Sequence, residues 1–296
     1  MKFIKEKIIN DLYDLLSPCR LCPRGCGVDR LQGEVGDCGA GLEVRISSYH
    51  QHFGEEPPLV GIHGSGTIFF AYCNVHCVFC QNYDISQHGL GREVSTDDLA
   101  HIMMHLQDRG CHNINLVTPT PWVPQIVKAL ARAQDAGLSI PVVYNCGGYE
   151  SVEVLKLLDG IIDIYMPDMK YGDDEHAEKY SGTPRYWDAV TAALREMHRQ
   201  VGELTVKEGI ALRGVLVRHL VLPHTIASSD RCFEFIAREL SRQTVVNVMA
   251  QYYPTYRATE YTELNRRITV AEFNDAVRAL QRYGLDTAAR VLEHHK

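Results

Sequence analysis

Three cysteines, Cys73, Cys77 and Cys80, stand in the run Cys-Asn-Val-His-Cys-Val-Phe-Cys-Gln-Asn, a C-x3-C-x2-C spacing. Three thiolates are one short of closing a tetrahedral zinc site or a four-iron cluster. A four-iron cluster held this way keeps one iron open to an outside ligand. The same spacing would also set small apolar residues on one helix face. Three features argue against that reading. The run follows a β-branched and aromatic strand over 66–72, it carries Asn74, His76, Gln81 and Asn82, and it leads into Gly89 and Gly91. Zinc completed by His76 is awkward, because His76 directly precedes Cys77 and both would have to reach one ion.

A second group, Cys19, Cys22, Cys26 and Cys38, has the spacing C-x2-C-x3-C-x11-C. Gly, Pro and Asp around it predict tight turns whose backbone amides can face sulfur. Four thiols so close in sequence point to a bound metal, either zinc or a second iron–sulfur cluster. The bland alternative is a loop of free thiols. Cys111, Cys146 and Cys232 are scattered and read as small buried hydrophobes. Ten cysteines without an export signal suit a reducing, cytoplasmic compartment and metal or redox chemistry, not disulfides.

The chain has 296 residues, 45% of them apolar, enough for one large α/β domain or two small ones. The formal net charge is -7 and the pI is about 6.0, with no long basic run. Nucleic acid as a partner is therefore not expected. No apolar stretch reaches membrane-spanning length. The first residues mix charge with apolar side chains and lack the apolar core of a signal peptide.

The elements that must position these groups follow a rhythm. Residues 3–16 predict an amphipathic helix with Ile4, Ile8, Leu12 and Leu15 on one side. Residues 40–65 read as connections. Strands are expected over 66–72, 113–117, 142–145, 161–166, 214–222 and 245–249. Helices are expected to 109 from a Ser95–Asp98 capping box, then over 124–136, 151–158, 186–201 and 228–240, and to 283 from a capping box at Thr269–Glu272. A polar excursion through Asp173, Asp174 and Glu175 follows the fourth strand. Strands alternating with helices predict a parallel sheet. Six such repeats fit a partial (β/α)6 barrel or an open doubly wound sheet. In either, reacting groups gather beyond the C-terminal strand ends. There lie the three cysteines, then Thr118-Pro119-Thr120-Pro121, then Asn145-Cys146-Gly147-Gly148, then Asp168-Met169-Lys170. Arg218 lies within the fifth strand, and Gln251-Tyr252-Tyr253 follows the sixth.

Taken together, these residues resemble the radical S-adenosylmethionine (SAM) superfamily, and within it the pyruvate formate-lyase activating enzyme-like proteins with an extra N-terminal cysteine segment. The resemblance rests on Cys73-x3-Cys77-x2-Cys80-Gln81-Asn82, on Asp168-Met169-Lys170, on residues 217–223 (Val-Arg-His-Leu-Val-Leu-Pro) and on the Cys19–Arg24 start. It implies a radical SAM partial barrel over 66–296, preceded by a helix and cysteine-rich extension over 1–65. It also implies a [4Fe–4S] cluster on Cys73, Cys77 and Cys80, with SAM chelating the fourth iron. Reductive cleavage would then give methionine and a 5′-deoxyadenosyl radical that abstracts hydrogen. By the same resemblance Phe79 stacks near the adenine, and Gln81 and Asn82 border it. Asp168 and Lys170 contact the SAM ribose and carboxylate, and Arg218 pairs with that carboxylate. Much of the superfamily has Gly-Gly-Glu at strand two; here Thr118 and Thr120 stand in its place, where hydroxyls and carbonyls can accept from an ammonium. Asn145 completes the candidate cofactor-binding set. Tyr252 or Tyr253 stands where many activating enzymes offer a histidine. A rim ion pair is the plainer reading of Asp168 and Lys170, and a surface salt bridge of Arg218.

The resemblance implies an electron donor such as flavodoxin or ferredoxin. Three targets are expected alternatives: a glycyl radical enzyme activated as partner, a small molecule or peptide modified directly, or no turnover at all in a metal-binding regulator. The intact cysteine loop with Asp168, Lys170 and Arg218 speaks against the last.

Overall fold

The computed structural model of the chain describes residues 3–285 and 287. Its strands, in chain order, are β1 (Arg45–His52), β2 (Ser65–Phe70), β3 (Arg92–Glu93), β4 (Ile114–Val117), β5 (Val142–Cys146), β6 (Ile164–Pro167), β7 (Thr205–Lys207), β8 (Ile210–Leu220) and β9 (Val245–Met249). The sheet order is β3-β1-β2-β4-β5-β6-β8-β7, with β9 paired to β8. Along the row β2-β4-β5-β6-β8-β9 every pairing is parallel. These are the six strands expected from the sequence. The fold is mixed α/β with a parallel sheet, and a partial barrel is compatible with this order.

Strand periodicity sorts the side chains onto two faces. Tyr144 and Cys146 of β5 join the main core beneath the helices. Val143 joins a smaller apolar cluster on the other face with Ile164, Met166, Leu216 and Val245. Two residues further along, that second face carries Asn145, Asp168 and Arg218. The apolar layer is thus the floor on which the polar groups stand. Cys146, pointing the other way, is a core cysteine as expected.

Helices Thr96–Asp108 and Val270–Tyr283 both begin with full capping boxes, Ser95 with Asp98 and Thr269 with Glu272. The N-terminal helix, Glu6–Asp14, buries Ile9 and Leu12 against helices Val123–Asp135 and Val152–Leu157.

Four local readings need correction. Residues 40–65 contain a strand, β1, which adds antiparallel to β2 with a bulge between Ile46 and Ser48. The fifth expected strand begins earlier, because Glu208 (φ 52°) and Gly209 (φ 79°) turn β7 into β8 as a hairpin. The polar excursion is helix Asp174–Ser181, capped by the Asp173 side chain on His176 N–H and ended by Gly182 in the left-handed region. Residues 228–240 are α-helical only over Ser229–Phe235 and finish as a π-turn over Ile236–Leu240. Among the described residues no helix is long and apolar enough to cross a membrane.

Candidate functional site

The cysteine loop leaves β2 through Tyr72, whose backbone is left-handed at φ 69°. The Tyr72 ring lies so close to Gly39 and Gly89 that a Cβ there would come within 2.7 and 2.4 Å of it. Only glycine permits that approach. The loop then runs along the end of helix Asp174–Ser181. His76 N–H donates to Ser181 O at 3.0 Å and Val78 N–H to Tyr180 O at 2.9 Å. The helix missed in the sequence is therefore the loop's backing.

Cys73, Cys77 and Cys80 line one cavity of about 240 Å³. Phe79, Gln81 and Asn82 border it from the same loop, and Thr118, Asn145, Asp168, Lys170 and Arg218 from the strand ends. Residues spread over much of the chain thus meet where the topology requires. Phe79 is buried with its ring edge-on to Tyr171 and Tyr252, and Gln81 Nε2 donates to Gln251 O at 3.1 Å. Thr118 holds φ 60° while its N–H donates to Asn145 O at 2.8 Å. A β-branched residue there is strained by about 1–3 kcal/mol, a cost typical of positions fixed by function.

Two expected placements differ. Thr120 does not face the cavity; its hydroxyl donates to buried Glu150 Oε1 at 2.7 Å. Tyr252 is buried with its hydroxyl donating to Leu264 O at 2.7 Å, and Tyr253 is exposed. Gln251 is the residue from this stretch that borders the cavity.

Arg218 is already ion-paired within the chain. The chain itself supplies partners for its charge. Its Nε donates to Asp168 Oδ1 at 2.8 Å and its Nη2 to Asn145 Oδ1 at 2.7 Å. Its Nη1 lies 3.8 Å from Glu55 Oε2. Lys170 Nζ donates to the other Asp168 oxygen. Burial alone would raise Asp168, but Arg218 and Lys170 outweigh it and hold the carboxyl below its usual range. Burial would lower Lys170, and Asp168 overrides it in turn. The cluster is one carboxylate, Asp168, held between the two cations, with Glu55 close to the far side of Arg218. Glu55 was passed over in the sequence because a Glu-Glu-Pro-Pro run reads as a connection; nothing local signals that it reaches Arg218.

Burial pushes the Cys73 and Cys77 thiols up, and the Lys170 ammonium opposes it. Metal binding at such thiols releases protons. Among the described residues no group of three or more His, Cys, Asp or Glu side chains is arranged around a single metal ion. A four-iron cluster asks less, since each thiolate takes a different corner, and an all-thiol set is the ligand type it uses. Three thiols on one cavity, with Lys170 and Arg218 on its wall, fit that group and an anionic co-ligand.

The Radical SAM superfamily model matches residues 67–227. The chain belongs to the radical SAM superfamily. Its enzymes generate 5′-deoxyadenosyl radicals, and the family implies a [4Fe–4S] cluster and SAM. An uncharacterized protein of Methanocaldococcus jannaschii is 36% identical over 293 residues, covering 96% of this chain and 79% of that protein. A second from the same organism is 23% identical over 281 residues, covering 86% and 78%. A radical SAM methyltransferase from Sphaerobacter thermophilus superposes with a TM-score of 0.50 at 14% identity, over 74% of this chain. This chain spans 65% of that methyltransferase chain, and at such identity the likeness concerns the fold.

The N-terminal cysteine segment lies outside the radical SAM match but rests against the cysteine loop. Arg24 Nε donates to Asn74 O at 2.6 Å and its Nη2 to Gly182 O at 2.9 Å, while Nη1 pairs with Asp37 at 2.8 Å. Asp37 also faces His76 Nε2 at 2.8 Å. Burial pushes Cys22 up to about 12, and the neighbouring Cys38 and Cys19 add to the shift. Cys26 Sγ and Cys38 Sγ both close on Gly36, where a Cβ would meet them at 3.4 and 3.5 Å. Buried Arg30, which donates to Gly41 O and Pro121 O beside Trp122, anchors the segment to β4's outgoing turn.

Proposed function

We propose that this chain cleaves SAM reductively at a [4Fe–4S] cluster held by Cys73, Cys77 and Cys80. The observation that carries this reading is that all three thiols share one cavity with Asn145, Asp168, Lys170 and Arg218. The cluster and SAM, when bound, supply the one-electron cleavage that yields methionine and a 5′-deoxyadenosyl radical for hydrogen abstraction. The chain's own residues bind and orient. Arg218 offers a guanidinium fork and Lys170 an ammonium to a carboxylate. Thr118 offers a carbonyl and hydroxyl to an ammonium, and Phe79, Gln81 and Asn82 border the remaining wall. Anaerobic reconstitution followed by EPR with and without SAM tests this; the signal of the reduced protein should change on adding SAM.

On the target, the reading is an activating-enzyme-like protein that places a glycyl radical on a large partner, with flavodoxin or ferredoxin as electron donor. It rests on the resemblance that Asp168-Met169-Lys170 and residues 217–223 carry, and these SAM-facing residues do not themselves separate it from the next reading. A second reading, direct action on a small molecule or peptide, is favoured by the segment over 19–38, which packs on the cysteine loop through Arg24. Incubation with SAM, reductant and candidate substrates, assayed for 5′-deoxyadenosine and for a glycyl radical signal, separates the two.

Cys19, Cys22, Cys26 and Cys38 would hold a second metal, zinc or iron–sulfur, that fixes this segment. Cys19→Ser with Cys22→Ser should remove metal that the Cys73 loop does not account for. Unchanged metal content per chain would leave the segment a loop of free thiols.

A further inference from the structure

Each sulfur of the cysteine loop faces one hydrogen-bond donor from the chain. Val75 N–H points to Cys73 Sγ at 3.4 Å, Ser181 Oγ donates to Cys77 Sγ at 3.0 Å, and Ser86 Oγ lies 3.1 Å from Cys80 Sγ. The two hydroxyls come from different elements. Ser181 closes helix Asp174–Ser181, and Ser86 closes the short helix Tyr83–Ser86 that follows the loop. Both are buried.

The proton directions follow from valence. A thiolate only accepts, so once these sulfurs ligate iron both serines must donate. Ser181 Oγ is also 2.7 Å from Tyr171 Oη. With its own proton directed at Cys77, Ser181 accepts from Tyr171. Ser86 Oγ accepts from Gln87 Nε2 at 3.0 Å. Gln87 is itself fixed, donating to Val75 O at 3.2 Å while its Oε1 faces His76 Nδ1 at 2.9 Å. Each serine hydroxyl is therefore held on its sulfur by a second donor behind it.

We propose, on the reading that this loop holds a [4Fe–4S] cluster, that Ser181 and Ser86 set the cluster's reduction potential through Cys77 and Cys80. Tyr171 and Gln87 are the residues that orient them. A donor on a ligating sulfur draws charge from it and favours the reduced, more negative cluster. The two hydroxyls thus raise the potential and ease reduction of the cluster by its electron donor, while making the reduced cluster a milder reductant toward SAM. The Cys73 donor is backbone and is fixed by the loop, so the adjustable pair is Ser181 and Ser86.

The test is an EPR-monitored redox titration of the anaerobically reconstituted full chain, with iron and sulfide measured for every sample. Ser181→Thr and Ser181→Val have the same shape and differ in the hydroxyl, as do Ser86→Thr and Ser86→Val. Each Val variant should titrate below its Thr counterpart by a tenfold shift in the reduction equilibrium, about 59 mV for one electron. Tyr171→Phe, which leaves Ser181 in place, should shift the potential the same way by less. Equal midpoints in fully loaded Thr and Val variants at both positions would overturn the proposal. Should bulk at 181 expel iron, the Ser86 pair and Tyr171→Phe carry the same comparison. Wild-type protein that assembles no cluster would overturn the cluster reading itself, a result distinct from an unchanged potential in loaded variants.

Discussion

Arg218 bridges Asp168 and Asn145 on one side and approaches Glu55 on the other. Lysine can supply the charge but not this fork. Arg218→Lys should leave the fold intact and weaken SAM binding by about 1–3 kcal/mol, read by isothermal titration calorimetry. Wild-type affinity would make Arg218 a purely structural partner of Asp168. Asp168→Asn is the harsher change, because it leaves the half-buried cations of Lys170 and Arg218 facing each other with only Glu55 nearby. Removing the shared partner should therefore shift thermal unfolding more than Arg218→Lys does. The residue types of this site were legible in the sequence, since charges inside or just beyond apolar strands demand partners. The pairings were not. The partners of Arg218 within the chain are not readable from local pattern, and Thr120 is expected beside Thr118 but turns to Glu150. Asp168, Asn145 and Glu55 lie too far along the chain for local pattern to pair them with Arg218, and Glu150 is brought under Thr120 only by the fold.

Secondary elements show the same division. Parallel strands announce themselves by short apolar runs, and all six were placed with ends within a few residues. Helix Asp174–Ser181 was missed because its mean character is polar, yet its signals were present: Asp173 as cap, Asp174 and Glu175 in the first turn, Lys179 in the last and Gly182 after it. β1 was hidden by its histidines and a bulge, since its alternation breaks between Ile46 and Ser48. One turn carries a prediction of its own. Gly148, φ 79°, follows β5, and a Cβ there would stand 2.2 Å from Asp168 O. Gly148→Ala should therefore destabilise the chain by on the order of 2–3 kcal/mol in thermal unfolding. It should also disturb SAM binding, because the clash falls on the residue that pairs Lys170 with Arg218. A variant as stable as wild type would mean that the two strand ends can move apart freely.

Across the whole molecule, one core runs from the N-terminal helix through the sheet to helix Val270–Tyr283. Beneath β4 and β5 it encloses Glu150, hydrogen-bonded by Thr120 and Tyr144. Burial raises its carboxyl from 4.5 to about 7, against the pull of those donors. A raised folded value means that the acid is neutral in both states at low pH and costs nothing there. As pH climbs from the unfolded value through about 7, the folded chain must hold a buried charge and loses roughly 3 kcal/mol, then levels off. Glu150→Gln should flatten this fall when melting temperatures are compared at about pH 5.5 and pH 8. Parallel profiles would show that Glu150 titrates alike folded and unfolded.

We propose that Cys73, Cys77 and Cys80 form the working site of a radical SAM enzyme. The most direct measurement is 5′-deoxyadenosine released when the anaerobically reconstituted, reduced protein is given SAM. Wild-type protein should release it, and Cys77→Ala, which loses one of three ligands, should not. Equal release from wild type and Cys77→Ala, or none from a fully loaded wild type, would contradict the account.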